Sequence, residues 1–303
     1  MKNLKLNISV IVPTYRRHVL LKRCVEQIHA QISSSDEIII CNDDPYGVVP
    51  IELFDCGTDN IRIVDNEGPH GPSGSRNFGA LLAKNDVILF IDDDDFLRSG
   101  YVDSLKSTLI QHPDADYGGS NIELFTSASD LRKIPALQSE VAHFVGSATE
   151  SLFGAGCGMW FKRTLFYDLG MFDPELKNSE DNDLCIRAIA HKAKCYKFSR
   201  PWVLVNRTAH NEMSNITERM HLNDKIQIWW KVYQKSRYLL PFNNSARIIL
   251  LERFIRRSVR NGQHLTAFKH IVSELRDPLL PLALVYYSLM RTQVIVKQVK
   301  AQF

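Results

Sequence analysis

Four consecutive carboxylates, Asp92-Asp93-Asp94-Asp95, follow the apolar run Val87-Ile88-Leu89-Phe90-Ile91. An apolar run bounded by polar residues reads as a buried strand of an α/β sheet, so these acids stand at the carboxyl end of a core strand, where such sheets place their ligand sites. Adjacent carboxylates repel unless a cation offsets them. An oxygen-only cluster of this kind suits Mg2+ or Mn2+, and such a metal typically bridges to a substrate diphosphate. The plain alternative is a solvated acidic loop. A second cluster, Glu180-Asp181-Asn182-Asp183, sits just before a helical stretch. It can cap that helix, or it can supply a carboxylate that takes a proton from a hydroxyl nucleophile. Asp43 and Asp44 end another strand; turn capping accounts for them, unless a parallel sheet brings them to the same edge as residues 92–95. His210 is a lone histidine, usually structural or solvated, whose place after the second acidic cluster makes it a candidate ligand for metal or phosphate.

The elements that must position these residues follow from periodicity. Residues 8–12, 37–41, 61–64 and 87–91 read as strands, and residues 19–30 and 75–84 as helices between them. Strands alternating with helices predict βαβ units and a mainly parallel sheet flanked by helices. Between the third strand and the second helix lies Gly68-Pro69-His70-Gly71-Pro72-Ser73-Gly74. Glycines there permit close approach to a phosphate, but the spacing matches neither a P-loop nor a dinucleotide fingerprint, and a plain turn is an equal reading. From about residue 116 the pattern loosens. A helix ends near Gly170, residues 181–191 look helical, and beyond 216 the chain reads as helical, basic and amphipathic.

Taken in order, several segments resemble the family 2 glycosyltransferases, nucleotide-sugar enzymes of the GT-A fold. They are Val10-Ile11-Val12-Pro13-Thr14-Tyr15, Ile40-Cys41-Asn42-Asp43-Asp44, Gly74-Ser75-Arg76-Asn77, Phe90-Ile91-Asp92-Asp93-Asp94-Asp95, Gly170-Met171-Phe172-Asp173 and Glu180-Asp181-Asn182-Asp183-Leu184. Residues 207–210 resemble a later, weaker motif. The resemblance covers about residues 7–215 and implies roles. Pro13, Thr14, Tyr15 and Arg16 would line the nucleotide pocket, and Arg76 would face the diphosphate or the base. Asp43 would read the base; because Asp44-Pro45 stands where the family has Gly-Ser, either Asp43 or Asp44 can fill that role. Asp92 and Asp94 match the DxD motif, with Asp93 near the ribose, Asp94 the first metal ligand and His210 completing the metal or diphosphate site. Asp181 matches the general base, and Glu180 and Asp183 would orient the acceptor or support the loop. The stretch 154–158 would help to shape the sugar pocket.

The resemblance therefore implies an inverting, Mn2+- or Mg2+-dependent transfer of a hexose or N-acetylhexosamine. The donor would be a nucleotide sugar, UDP-linked, and the acceptor a glycan or lipid-linked hydroxyl in surface polysaccharide or lipopolysaccharide synthesis. The rival readings are a nucleotidyltransferase and a non-catalytic nucleotide- or glycan-binding module. Three segments are expected: a nucleotide-binding half (1–115), an acceptor-binding half (116–215) and a helical basic extension (216–303).

Composition narrows the setting. The 303 residues are 45% hydrophobic and 23% charged, ordinary for a packed globular chain. The net charge of +3 conceals a split. Residues 225–303 hold 14 Lys and Arg against three acids, a net of +11; residues 1–224 hold 23 against 31, a net of −8. So lopsided a distribution points to different partners for the two parts. The extension, with Trp229-Trp230, is expected to make peripheral contact with an anionic membrane face, although tryptophans of this kind also pack cores. No nucleic-acid partner is expected, and the oligomeric state is open. Six cysteines without a CxxC pair read as reduced thiols. No apolar run is long enough to span a bilayer or to serve as a signal sequence, which gives a cytoplasmic location, peripheral on the inner face of the membrane.

Overall fold

The computed structural model describes residues 6–54, 59–125, 137–153, 156–206, 220–241 and 244–263, together with residues 265, 269, 270 and 272. Four parallel strands form the first part of the sheet: β1 (Ile8–Thr14), β2 (Glu37–Asn42), β3 (Ile61–Asp65) and β4 (Val87–Phe90). They lie in the order β3-β2-β1-β4, with β1 in register against both β2 and β4. β1, β2 and β4 are buried along their whole length, as the unbroken apolar runs require of strands covered on both faces.

Helices α1 (His18–His29) and α2 (Pro72–Leu81) connect these strands. The second helix begins three residues before the expected start. Pro72 opens it, since a first-turn residue needs no backbone N–H, and Gly71 supplies the φ of +105° that turns the chain into it. A bare glycine lets α2 lie close on the sheet, since a Cβ on Gly79 would stand 2.6 Å from Ile11 Cγ2, and another lets the preceding loop fold against the helix, since a Cβ on Gly74 would stand only 1.7 Å from the Pro69 carbonyl oxygen.

Beyond β4 the sheet becomes mixed, which refines the parallel expectation. β5 (Phe96–Leu97), α3 (Tyr101–Gln111), β6 (Tyr117–Phe125), β7 (His143–Val145), β8 (Trp160–Lys162), α4 (Arg163–Asp168), α5 (Glu180–Ala190) and β9 (Cys195–Asn206) follow. β8 inserts antiparallel between β4 and β6, and the long β9 runs parallel to β6 and antiparallel to both β5 and β7. β5, β7 and β8 are only two or three residues long, too short to show a period, and β6 and β9 alternate exposed and buried residues irregularly, β9 being interrupted by Ser199, Arg200 and Pro201 at a register shift.

The basic extension forms α6 (Leu222–Leu239) and α7 (Ser245–Arg260). Their apolar faces join one hydrophobic cluster with α4, α5 and the sheet, in which Trp229, Trp230, Tyr233 and Phe254 meet Phe166 and Leu184. Trp230 packs its ring 5.3 Å from Tyr233 and 5.0 Å from Phe254. Both tryptophans are thus buried, which corrects the expectation that they anchor the chain in a membrane interface: their area is already spent inside the fold. Among the described residues no helix is long and apolar enough to cross a membrane.

Candidate active site

The carboxyl ends of β1, β2 and β4 and the first turn of α5 supply the side chains of interest. The acidic run after β4 is not a solvated loop. Asp93, Asp94 and Asp95 are 0%, 5% and 4% exposed, and only Asp92 is half-buried. Carboxylates this deep must be paired or protonated. Thr14 at the end of β1 donates its hydroxyl to Asp93 at 2.7 Å. Arg17 spans two of the acids, forming an ion pair with Asp93 and donating to Asp94 at 2.9 Å. Burial pushes the Asp93 carboxyl up to about 7, against the pull of Arg17. Asp95 accepts from the backbone N–H of Asn206 at 2.8 Å, fastening the end of β9, and burial with the charges of Asp92 and Asp94 raises its proton affinity.

Arg76 is the centre of the arrangement. It is 3% exposed, on α2, and donates to Asp92 at 2.5 Å and to Glu180 at 3.0 Å. One guanidinium therefore ties the acidic run of β4 to the acidic turn of α5, which are far apart in sequence. Its remaining face lies over the Phe172 ring at 5.6 Å, and a Cβ on Gly156 would sit 3.7 Å from it, so a larger residue there would crowd the cation.

Asp181 lies beside Glu180, buried at 7% exposure. Its Oδ1 accepts from both the backbone N–H and the side-chain amide of Asn182, at 2.7 and 2.8 Å. Burial, then the charge of Glu180, pushes its carboxyl up to about 7. A carboxyl poised there can hold or release a proton near neutral pH. Asp183 faces elsewhere: Arg187 chelates one of its oxygens, at 3.0 and 2.7 Å, and Lys235 of α6 pairs with it at 2.9 Å. It is a structural tie between α5 and α6.

The β2 end is engaged in local contacts. Asp43 accepts from the Asn66 amide at 2.7 Å and from the Gly71 N–H at 2.8 Å, holding the glycine-rich loop. Asp44 takes a two-pronged contact from Arg16 at 2.6 and 3.0 Å, and the left-handed φ of 58° at Arg16 presents that fork. Pro13 is buried at the end of β1, while Tyr15 is 44% exposed with the Arg16 guanidinium 5.0 Å from its ring. His210 lies outside the described residues, as do Gly154 and Ala155.

Thr14, Arg76, Asp92, Asp93, Asp94, Glu180 and Asp181 therefore gather in one site, with Asp43, Asp44 and Arg16 on its β2 flank. Sequence reasoning passed over three further residues. Arg17 carried a weak signal, as half of a basic pair after the first strand. Asn182 was read only as part of an acidic run. Arg253 of α7 donates to the Asn182 side-chain oxygen at 3.0 Å, a contact across 71 residues that no spacing rule could reveal.

A cation can be tested against these donors. Among the described residues no three acids, histidines or cysteines form a ready cage. Asp92 and Asp94 do offer carboxylate oxygens, the donor type that a Mg2+ or Mn2+ shared with a substrate diphosphate takes one or two of. The residues present fit such a shared ion, with Arg76 and Arg17 holding the same oxygens here.

The chain and its fold are similar to known proteins. The chain is 28% identical over 197 residues to an uncharacterised glycosyltransferase of Bacillus subtilis, YwdF, covering 64% of this chain and 71% of that one. It is 34% identical over 113 residues to a Campylobacter jejuni protein named GalNAc(5)-diNAcBac-PP-undecaprenol beta-1,3-glucosyltransferase, over 36% and 35% of the two chains. Among solved structures, S. aureus TarS in complex with UDP-GlcNAc superposes with a TM-score of 0.63 at 16% identity, over 84% of this chain and 72% of that one. The mannosyltransferase PcManGT from Pyrobaculum calidifontis, in complex with GDP-Man and Mn2+, gives 0.56 at 14% identity, over 97% and 82%. Identity this low shows the fold alone, and that fold is of the GT-A type. The sequence pattern described as Glycosyl transferase family 2 matches residues 9–170, which take in β1 through the acidic run and on to Gly170. With more than half its length matched, the chain belongs to glycosyl transferase family 2 and is a glycosyltransferase.

Proposed function

We propose that this enzyme moves a hexose or N-acetylhexosamine, with inversion, from a UDP-sugar to a hydroxyl of a glycan or lipid-linked acceptor in surface polysaccharide or lipopolysaccharide synthesis. The observation that carries the reading is Arg76. Its bridge from Asp92 to Glu180 joins the two acidic runs within one side chain of each other, which supports reading the first as the donor side and the second as the acceptor side. Transfer needs that adjacency, since the acceptor oxygen must reach the anomeric carbon in line with the departing diphosphate.

In this reading residues 1–115 hold the donor, with Thr14, Tyr15 and Arg16 beside the nucleotide and Asp43 or Asp44 at the base. Residues 116–215 hold the acceptor, and 216–303 form the basic extension. Asp181 takes the acceptor proton, which its elevated affinity for protons favours. Glu180 keeps Arg76 in place, and Arg76 and Arg17, which pair with Asp92 and Asp94, would offset the diphosphate charge. A Mn2+ or Mg2+ ion held by Asp92 and Asp94, with His210 as a further ligand, would offset charge building on the leaving diphosphate. The acceptor assignment is supported by relatives named for lipid-linked substrates, the Campylobacter jejuni protein among them, and by an Escherichia coli protein named UDP-Glc:alpha-D-GlcNAc-diphosphoundecaprenol beta-1,3-glucosyltransferase WfgD, 22% identical over 131 residues. Peripheral contact with an anionic membrane face, through the charge of residues 225–303, would keep the enzyme beside such an acceptor.

A thermal-shift panel of nucleoside diphosphates with and without Mn2+ tests the donor. UDP should raise the melting temperature when Mn2+ is present, because a ligand of the folded state stabilises it by mass action. A rise with GDP and none with UDP would replace the uridine assignment.

A further inference from the structure

The second basic helix presents an arginine stripe that the transfer chemistry above leaves unused. α7 carries five arginines and a single acid, Glu252. Arg253, Arg256, Arg257 and Arg260 recur at i, i+3, i+4 and i+7, which places them on one face, opposite the buried Leu251, Phe254 and Ser258. Glu252 pairs with Arg256 at 3.3 Å. Arg257 stacks its guanidinium 4.7 Å over the Trp229 ring and is exposed, as is Arg260. Partial desolvation of its guanidinium, which lies against Trp229 while the residue as a whole stays exposed, and then the like charges of Arg253 and Arg256 lower the proton affinity of Arg257, the mark of cations crowded together.

One end of the stripe is fixed beside the chemistry. Arg253 donates to Asn182, and Asn182 donates to Asp181, so the stripe starts two side chains from the proposed base. From Arg253 to Arg260 the helix rises about 10 Å, the length of one or two sugar units. Crowded arginines this near the proposed base call for an anion, and guanidinium forks suit phosphate oxygens above all.

We propose that the α7 stripe is an acceptor subsite that grips the phosphate or diphosphate of a lipid-linked acceptor, with the reacting sugar one or two units from that phosphate. This deepens the acceptor assignment and rests on it. It is distinct from general attraction to a membrane, because it requires a defined anion at Arg257 and Arg260.

Calorimetric titration of the full chain with farnesyl diphosphate, in the presence of saturating UDP and Mn2+, tests the subsite. Wild type should bind the probe, and Arg257→Gln/Arg260→Gln should weaken its Kd at least about tenfold while leaving the Kd for UDP unchanged. Both side chains are exposed, and an unaltered melting temperature would show the variant folded; Arg260→Glu alone should weaken the probe in the same direction. Unchanged affinity for farnesyl diphosphate in these variants overturns the proposal, as does a wild type that does not bind it. Vesicles of phosphatidylglycerol without the probe supply the other arm. If the substitutions release the protein from vesicles yet leave the farnesyl diphosphate Kd alone, the stripe is a membrane contact and the subsite is wrong. Absence of UDP binding would count against the donor assignment and leave this comparison readable.

Discussion

The chemistry at Asp181 turns on how one carboxyl is buried. Its surroundings are mostly protein and Glu180 repels its charged form, while the Asn182 donors and the charge of Arg76 favour ionisation. A base must be unprotonated to act, so kcat/KM should fall about tenfold per pH unit once the pH drops below about 7, and a pH–rate profile checks this. Asp181→Asn should lower kcat by at least about a hundredfold with nucleotide affinity retained, as single-turnover assays and a UDP titration would show. Retained turnover would remove Asp181 from the role. Arg17 makes a different kind of contribution. It supplies counter-charge to Asp93, which is wholly buried, and to Asp94. Removing one partner of a buried ion pair strands the other, so Arg17→Gln should cost about 3 kcal/mol, read from the urea midpoint. A loss under about 0.5 kcal/mol would mean that the Thr14 hydroxyl and protonation of the buried carboxyl already satisfy Asp93.

At the scale of elements, α2 is the part on which the site depends, since it carries Arg76. Its approach to β1 is set by Gly79, whose missing side chain leaves room for Ile11. Gly79→Val should overpack this contact and cost about 1–3 kcal/mol in chemical denaturation. It should also reduce kcat/KM, because a lifted α2 moves Arg76 from Asp92 and Glu180; an unaffected rate would show that Arg76 does not need that placement. The alternation of strands and helices up to residue 91 was legible because each buried strand is an unbroken apolar run. The helix ends were less so: Pro72 and Gly71 open α2 three residues before the apolar period does. β6 and β9 were not legible, since their faces are partly solvated and β9 is broken by a bulge.

Across the whole molecule, the charge split maps onto an integrated structure. α6 and α7 carry most of the net positive charge of the extension, yet they also complete the core around Phe166 and Leu184 and pin α5 through Lys235 to Asp183 and Arg253 to Asn182. A chain ending at residue 215 should therefore expose that cluster and elute as aggregate in size-exclusion chromatography, and the full chain should not. A soluble, active fragment would show that the extension is an appendage. Trp229 and Trp230 illustrate the ambiguity of composition: a pair of tryptophans beside lysine suits a membrane interface or a core, and only the packing of α6 against α7 decides between them.

The sequence by itself determined the order of the first strands and helices, the acidic runs at residues 92–95 and 180–183, and the family, because those depend on local periodicity and on residues adjacent in the chain. The tertiary structure alone decided which carboxylates are buried and what holds them. Arg76 between Asp92 and Glu180, Arg17 on Asp93 and Asp94, and Arg253 on Asn182 are contacts over sequence separations of 16, 104, 76, 77 and 71 residues. Charge pairing acts over a few ångströms in space and is indifferent to distance along the chain, so no pattern in the residues announces it until the fold brings the partners together.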